Sequence, residues 1–148
     1  MAIDWDLMFG LTNAIALAGW VALALLPRRE SMLGAVLWGG VAMLCLLYAA
    51  MFAGLTGGLV DPGRDAPAPP FEYSVDGLLA AFGARGAIVV GWTHYLAFDL
   101  FIGLWIARDA DARGVHRLVQ IPFLFVTLMA GPIGLLAWLL LKRPLAGR

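Results

Sequence analysis

Four long apolar runs constrain this chain more than any other feature. They are Leu7–Leu26, Leu33–Leu55, Ile88–Ala107 and Ile121–Leu141, and every lysine and arginine lies outside them. A hydrocarbon layer about 30 Å thick takes roughly 20 helical residues to cross, and each run meets that length. Short charged segments, PRRES and RDADARGVHR, join the first pair and the last pair. The expected fold is therefore an all-α integral membrane protein, with four transmembrane helices arranged as two antiparallel hairpins. Trp5, Trp92 and Trp105 fall near the predicted ends, where interfacial aromatics belong.

Composition agrees. The chain is 62% hydrophobic and only 14% charged, against about 25% charged in soluble domains. Its 148 residues suit one domain, 1–148. The formal net charge is zero, so no basic field exists for a nucleic acid. Cys45 stands alone, which excludes an intrachain disulfide or a cysteine-based metal site. The start, MAIDWDLMFG, carries two acids and no lysine or arginine. It reads as the beginning of a retained anchor, since a cleaved signal needs a positive segment first. Nine arginines to one lysine, with much Ala, Gly and Pro, hint at a GC-rich bacterial genome and hence an inner-membrane protein.

The middle connection differs from the other two. TGGLVDPGRDAPAPP is rich in turn formers and proline, so an extended loop is expected over 56–74. SVDGLLAAFGARG follows, with Ser74 or Asp76 as a helix cap. A helix over 75–84 is too short to span and is expected at the interface. Arginine and lysine divide five against five between the two faces of a four-span arrangement. Arg28-Arg29 directly after the first run then favours both termini outside. Ala35-x-x-x-Gly39 and Gly54-x-x-x-Gly58 permit close helix approach, which allows a homo-oligomer.

The polar residues inside the runs are the candidate site. Asp99 lies about 16 Å along the third run from Ile88, near the middle of a bilayer. Its insertion costs on the order of 2.5–3.5 kcal/mol, so it is expected to face the bundle interior and find partners. A desolvated carboxyl is expected to keep its proton and seek an acceptor. Pro132 lacks an N–H and frees the carbonyl of Leu128, four residues earlier. In an antiparallel fourth span that carbonyl comes to the depth of Asp99. Gly131 and Gly134 remove bulk beside it, so GPIG is expected to form either a notch opposite the acid or a plain helix kink. Trp92 and Tyr95 share the Asp99 face, and Tyr95 is within hydrogen-bonding reach. His94 lies roughly 140° around the helix. Asn13 and Tyr48 are at about its depth, which makes Asn13–Tyr48–His94 a candidate polar layer. A single structural hydrogen bond for His94 is the bland alternative.

Metal and cofactor readings find little to build on. His94 and His116 are the only histidines, roughly 33 Å apart along a continuous helix. No nucleotide-binding, nucleophile-elbow or zinc-protease motif occurs. Neither a metal nor a cofactor is expected, and the expected partner is membrane lipid.

GWTHYLAFDLFIGLWIARDA, followed by a run containing GPIGLL, resembles the abscisic-acid-deficient-4-like family of small four-helix membrane proteins. The resemblance extends to the SVDGLLAAF segment, and the matching positions include Trp92, His94, Asp99, Asp109, Gly131, Pro132 and Gly134. Plant members of that family are required to make neoxanthin from violaxanthin. The resemblance implies a cofactor-independent isomerase of a carotenoid or related isoprenoid. Converting a 5,6-epoxide to an allenic alcohol is redox-neutral. It needs an acid at the epoxide and a base at the adjacent polyene. Asp99 is then the expected acid and His94 the expected base, with Asn13, Tyr48, Trp92, Tyr95, Gly131 and Pro132 lining or supporting the site. The alternative is a carotenoid- or lipid-binding or assembly protein without chemistry of its own.

Overall fold

The computed structural model describes residues 1–64 and 72–145, so the proline-rich centre of the expected 56–74 loop lies outside the described residues. Six helices make up the described chain: α1 (Trp5–Leu25), α2 (Glu30–Thr56), α3 (Val75–Phe82), α4 (Arg85–Ala112), α5 (Arg117–Met129) and α6 (Gly131–Leu145). No strand occurs among the described residues. Three helices, α1, α2 and α4, are long and apolar enough to cross a membrane.

Asp4 starts α1, its carboxylate accepting from the backbone N–H groups of Asp6 and Leu7 at 3.1 and 3.0 Å. α1, α2 and α4 meet where side chains are smallest. Leu100 of α4 is fully buried between Gly19 of α1 and Gly40 of α2. A Cβ on either glycine would come within 2.8–3.0 Å of Leu100. Gly40 sits in a π-helical stretch of α2, Val36–Ala42. Trp20 fills the neighbouring space over Gly103. The second small-residue pattern has contacts within the chain. Gly54 packs against Val60, and Gly58 takes the left-handed φ of +66° that turns the chain after α2.

The fourth apolar run corrects the four-span expectation. Ile121–Leu141 is not one helix. It is cut at Ala130, whose φ of −155° and ψ of 76° end α5, and α6 folds back along it. Phe123 and Trp138 lie edge to face at 5.4 Å, which a continuous helix would hold far apart. Gly134 packs onto the backbone of Thr127, where a Cβ would collide with the Thr127 nitrogen. The physical cause is local. Pro132 has no N–H to give Leu128 and cannot continue α5, yet it suits the first turn of a new helix. With 13 and 15 residues, α5 and α6 are each about 20 Å long, too short to cross.

The fold-back decides where the termini lie. α5 starts beside the α1–α2 connection and runs antiparallel to α4 as far as Asp99, and α6 then returns to the starting end. Lys142 Nζ lies 3.5 Å from Asp109 and 5.2 Å over the Trp105 ring. Trp138 Nε1 donates to Asp109 at 2.9 Å. The N-terminus sits at the opposite end, where the Met1 amine donates to the Leu59 carbonyl. The expectation that both termini share one side is therefore corrected: residue 145 and residue 1 stand at opposite ends of the bundle.

The end that carries the α4–α5 connection is held by a polar lock. Arg28, with its side chain only 5% exposed, donates to Asp111 at 2.9 Å, to the carbonyls of Leu23 and Ala107, and to Gln120. Gln120 is fully buried and reaches Asp111 and the Val115 carbonyl. Arg117 donates to the carbonyls of Leu23 and Leu26, so two guanidinium groups cap the end of α1. Burial lowers the pKa of Arg28 below the usual arginine value, and the Asp111 carboxylate opposes that shift.

Candidate functional site

Asp99 lies midway along α4, at the depth where the α5–α6 hairpin turns. The notch expected at GPIG is present, but as a chain reversal rather than a kink. A Cβ on Gly131 would fall on the Asp99 carboxyl, so any other residue there would have to displace the acid or the tip. Asp99, Trp92, Tyr95 and Leu96 from α4 face Leu128–Pro132 from the tip across a pocket of about 300 Å³. The expected residues Trp92, Tyr95, Gly131 and Pro132 are thus brought together with Asp99.

The tip contributes more than the one expected carbonyl. The last carbonyls of α5 lack helical partners, as does the Leu128 carbonyl that Pro132 cannot serve. Of the first turn of α6 only the Gly131 N–H is left at the same place, since Pro132 has none and those of Ile133 and Gly134 turn back to Ala130. The carboxyl therefore faces both ends of a broken helix. Among the described residues no side-chain hydrogen bond or ion pair to Asp99 is formed, so Tyr95 lines its pocket without bonding it. Thr127 is fully buried and donates to the Phe123 carbonyl at 2.7 Å, inside its own helix.

His94 is placed elsewhere. It is exposed on another flank of α4, stacked on Phe98 at 4.6 Å and tilted against Tyr48 at 5.6 Å. It does not line the Asp99 pocket. The layer Asn13–Tyr48–His94 is split in the same way. Asn13 belongs to the Asp99 side: its Oδ1 accepts from Trp92 Nε1 at 3.1 Å, and its Nδ2 donates to the Phe9 carbonyl at 2.7 Å. Tyr48 pairs with His94 and with Phe52. Equal depth put these residues in one layer, but their directions around the helices separate them.

His116 is a helix cap, its Nδ1 accepting from the Leu118 N–H at 3.3 Å. Among the described residues no group of three His, Cys, Asp or Glu could hold a metal ion. The clamp of Asp109 by Trp138, Arg113 and Lys142 was not expected from the sequence. Lys142 and Trp138 sit one helical turn apart, but nothing in the sequence says that their helix runs back toward Asp109.

Comparison with known proteins gives one match. The family model described as ABA DEFICIENT 4-like covers residues 7–138, most of the chain. No curated protein and no solved structure matches it.

Proposed function

The chain belongs to the ABA DEFICIENT 4-like family, and from that premise we propose that it is a membrane-embedded isomerase of a carotenoid or related isoprenoid, with Asp99 as its acid–base group. One observation carries the reading. A carboxyl without side-chain partners stands at the tip of a helical hairpin, in a pocket walled by Trp92, Tyr95 and Leu128. Such a site suits an apolar substrate with one weakly polar reacting group.

The pocket supports a one-residue mechanism. The protonated Asp99 carboxyl gives its proton to the epoxide oxygen as one carbon–oxygen bond breaks, leaving a cation spread over the polyene. The Asp99 carboxylate then removes the proton from the neighbouring polyene carbon, and that C–H electron pair becomes the new double bond of the allene. Proton and electrons balance, and Asp99 ends as it began. The two reacting atoms are adjacent, within reach of the two oxygens of one carboxyl. His94, on its separate flank, is not needed as the base.

The same geometry supports an orientation. With the hairpin folded back, Lys142 and Arg143 join Arg28, Arg29, Arg108, Arg113 and Arg117 at one end, against Arg64 and Arg85 at the other. The tie of a four-span count disappears, and the arginine-rich end faces the cytoplasm. The N-terminus is outside and the C-terminus inside.

The test is pigment chromatography of violaxanthin-producing cells expressing wild type or Asp99→Asn, with membrane levels matched. Wild type is expected to form neoxanthin, and Asp99→Asn to lose at least about 100-fold. Pigment that co-purifies chemically unchanged from both would favour a binding protein instead.

A further inference from the structure

The helix that follows the reversal is pinned to α4 at two points. At its start, Gly131 lies against the Asp99 carboxyl. Further along, Trp138 Nε1 donates to Asp109 at 2.9 Å, and Lys142 Nζ lies 3.5 Å from the same carboxylate. The spacings agree. Asp99 and Asp109 are about 15 Å apart along α4, and Gly131 is about 10 Å from Trp138 and about 16 Å from Lys142 along α6. The two helices therefore run parallel and in step. Among the described residues, every side-chain hydrogen bond and ion pair made by α6 ends on Asp109.

We propose that Asp109 is a positioning residue for the Asp99 site, acting through Trp138 to hold the start of α6 against the acid. The inference rests on the reading of Asp99 as the reacting group.

The break at Ala130 makes such an anchor necessary. α5 carries the chain to the depth of Asp99, but the helix ends there and α6 begins at a joint. A 15-residue helix, too short to cross, takes no fixed depth from the bilayer. Apolar contact sets its register only weakly, since lipid tails are as apolar as the side chains they replace. A hydrogen bond to a carboxylate is directional and stronger than one between neutral groups. Trp138 is placed to transmit it. The residue is 0% exposed, with Asp109 at its indole N–H and Phe123 of α5 edge to face at 5.4 Å. It ties α4, α5 and α6 at one point. A slip of α6 by one residue, about 1.5 Å, would bring Ala130 or Pro132 toward the Asp99 carboxyl, and each carries the Cβ that Gly131 lacks. Lys142 is the looser partner, shared with the Trp105 ring, and Arg113 meets the other Asp109 oxygen from the end of α4 itself. The acceptor oxygen, and not the charge, is what the tip requires of Asp109.

The experiment uses the full chain in lipid nanodiscs, with violaxanthin as the substrate probe. A nitroxide on Ile133→Cys, in a Cys45→Ser background, reports the motion of α6. Ile133 is 62% exposed and does not line the Asp99 pocket. Trp138→Phe keeps a ring against Phe123 and removes the N–H. Asp109→Leu removes the acceptor, and Asp109→Asn keeps it without the charge. Trp138→Phe and Asp109→Leu are expected to lower kcat at least about tenfold per folded molecule, with KM within about twofold of wild type. Both are expected to loosen the label, and Asp109→Asn to match wild type in rate and label mobility. Arg108→Ala, which breaks a surface pair at the same end, is the control and should change neither. Wild-type kcat and label mobility in both Trp138→Phe and Asp109→Leu would overturn the proposal. So would an Asp109→Asn as damaged as Asp109→Leu, since the charge would then be the essential part. An active Asp99→Asn, or a wild type that leaves violaxanthin unchanged, would instead sink the assignment of Asp99, and the label would still decide whether Asp109 holds the tip.

Discussion

The carboxyl group of Asp99 lies directly against the α-carbon of Gly131, at the point where the chain reverses between α5 and α6. Each residue sets the other's limits. The acid occupies the volume that any side chain at 131 would need, and the hairpin tip closes the inner end of the Asp99 pocket.

That contact predicts a coupled pair. Gly131→Ala should destabilise by about 1–3 kcal/mol, as overpacking does, and should abolish turnover by displacing Asp99. In an Asp99→Ala background the same substitution should cost much less, because the colliding oxygens are gone. Unfolding of the four proteins in detergent gives the coupling energy. Additive costs would mean that the tip does not seat on the acid.

The separation of His94 from the pocket makes the two expected catalytic residues distinguishable. His94→Phe should keep neoxanthin formation within a few-fold of wild type, while Asp99→Asn loses it. Equal losses in two well-folded variants would restore His94 to the reaction.

The Arg28 lock should matter for folding and not for chemistry. Arg28→Ala leaves the buried Gln120 carbonyl without its donor and the end of α1 capped by Arg117 alone, at a cost of about 1–3 kcal/mol. The measurement is thermal stability in detergent alongside turnover at a temperature where both proteins are folded. The KM for violaxanthin should not move.

Membrane orientation can be read with single cysteines. With Cys45 replaced by serine, Ala2→Cys and Leu145→Cys should react with a membrane-impermeant thiol reagent from opposite sides of the membrane. Labelling from the same side would restore a fourth crossing and dismiss the re-entrant hairpin.

Much of this protein was legible in one dimension. Length and hydropathy set the helical class and the runs that became α1, α2 and α4, because crossing length and side-chain transfer energy are local properties. Helical period placed Trp92 and Tyr95 on the Asp99 face and His94 off it. Of the two cap candidates, Ser74 and Asp76, it is Ser74 whose hydroxyl accepts from the Gly77 N–H at 3.0 Å. Even the depth match between Leu128 and Asp99 survives, since α5 runs antiparallel to α4 up to the turn. Only the tertiary structure decided that Ile121–Leu141 turns back. Hydropathy is blind to direction, and a 21-residue run reads the same whether it crosses or returns. Ala130 reverses the chain because Pro132 cannot extend α5, Gly131 makes room for the acid, and Gly134 lets the two helices touch. From that one reversal follow the pocket at Asp99, the clamp on Asp109 and the gathering of positive charge at one end.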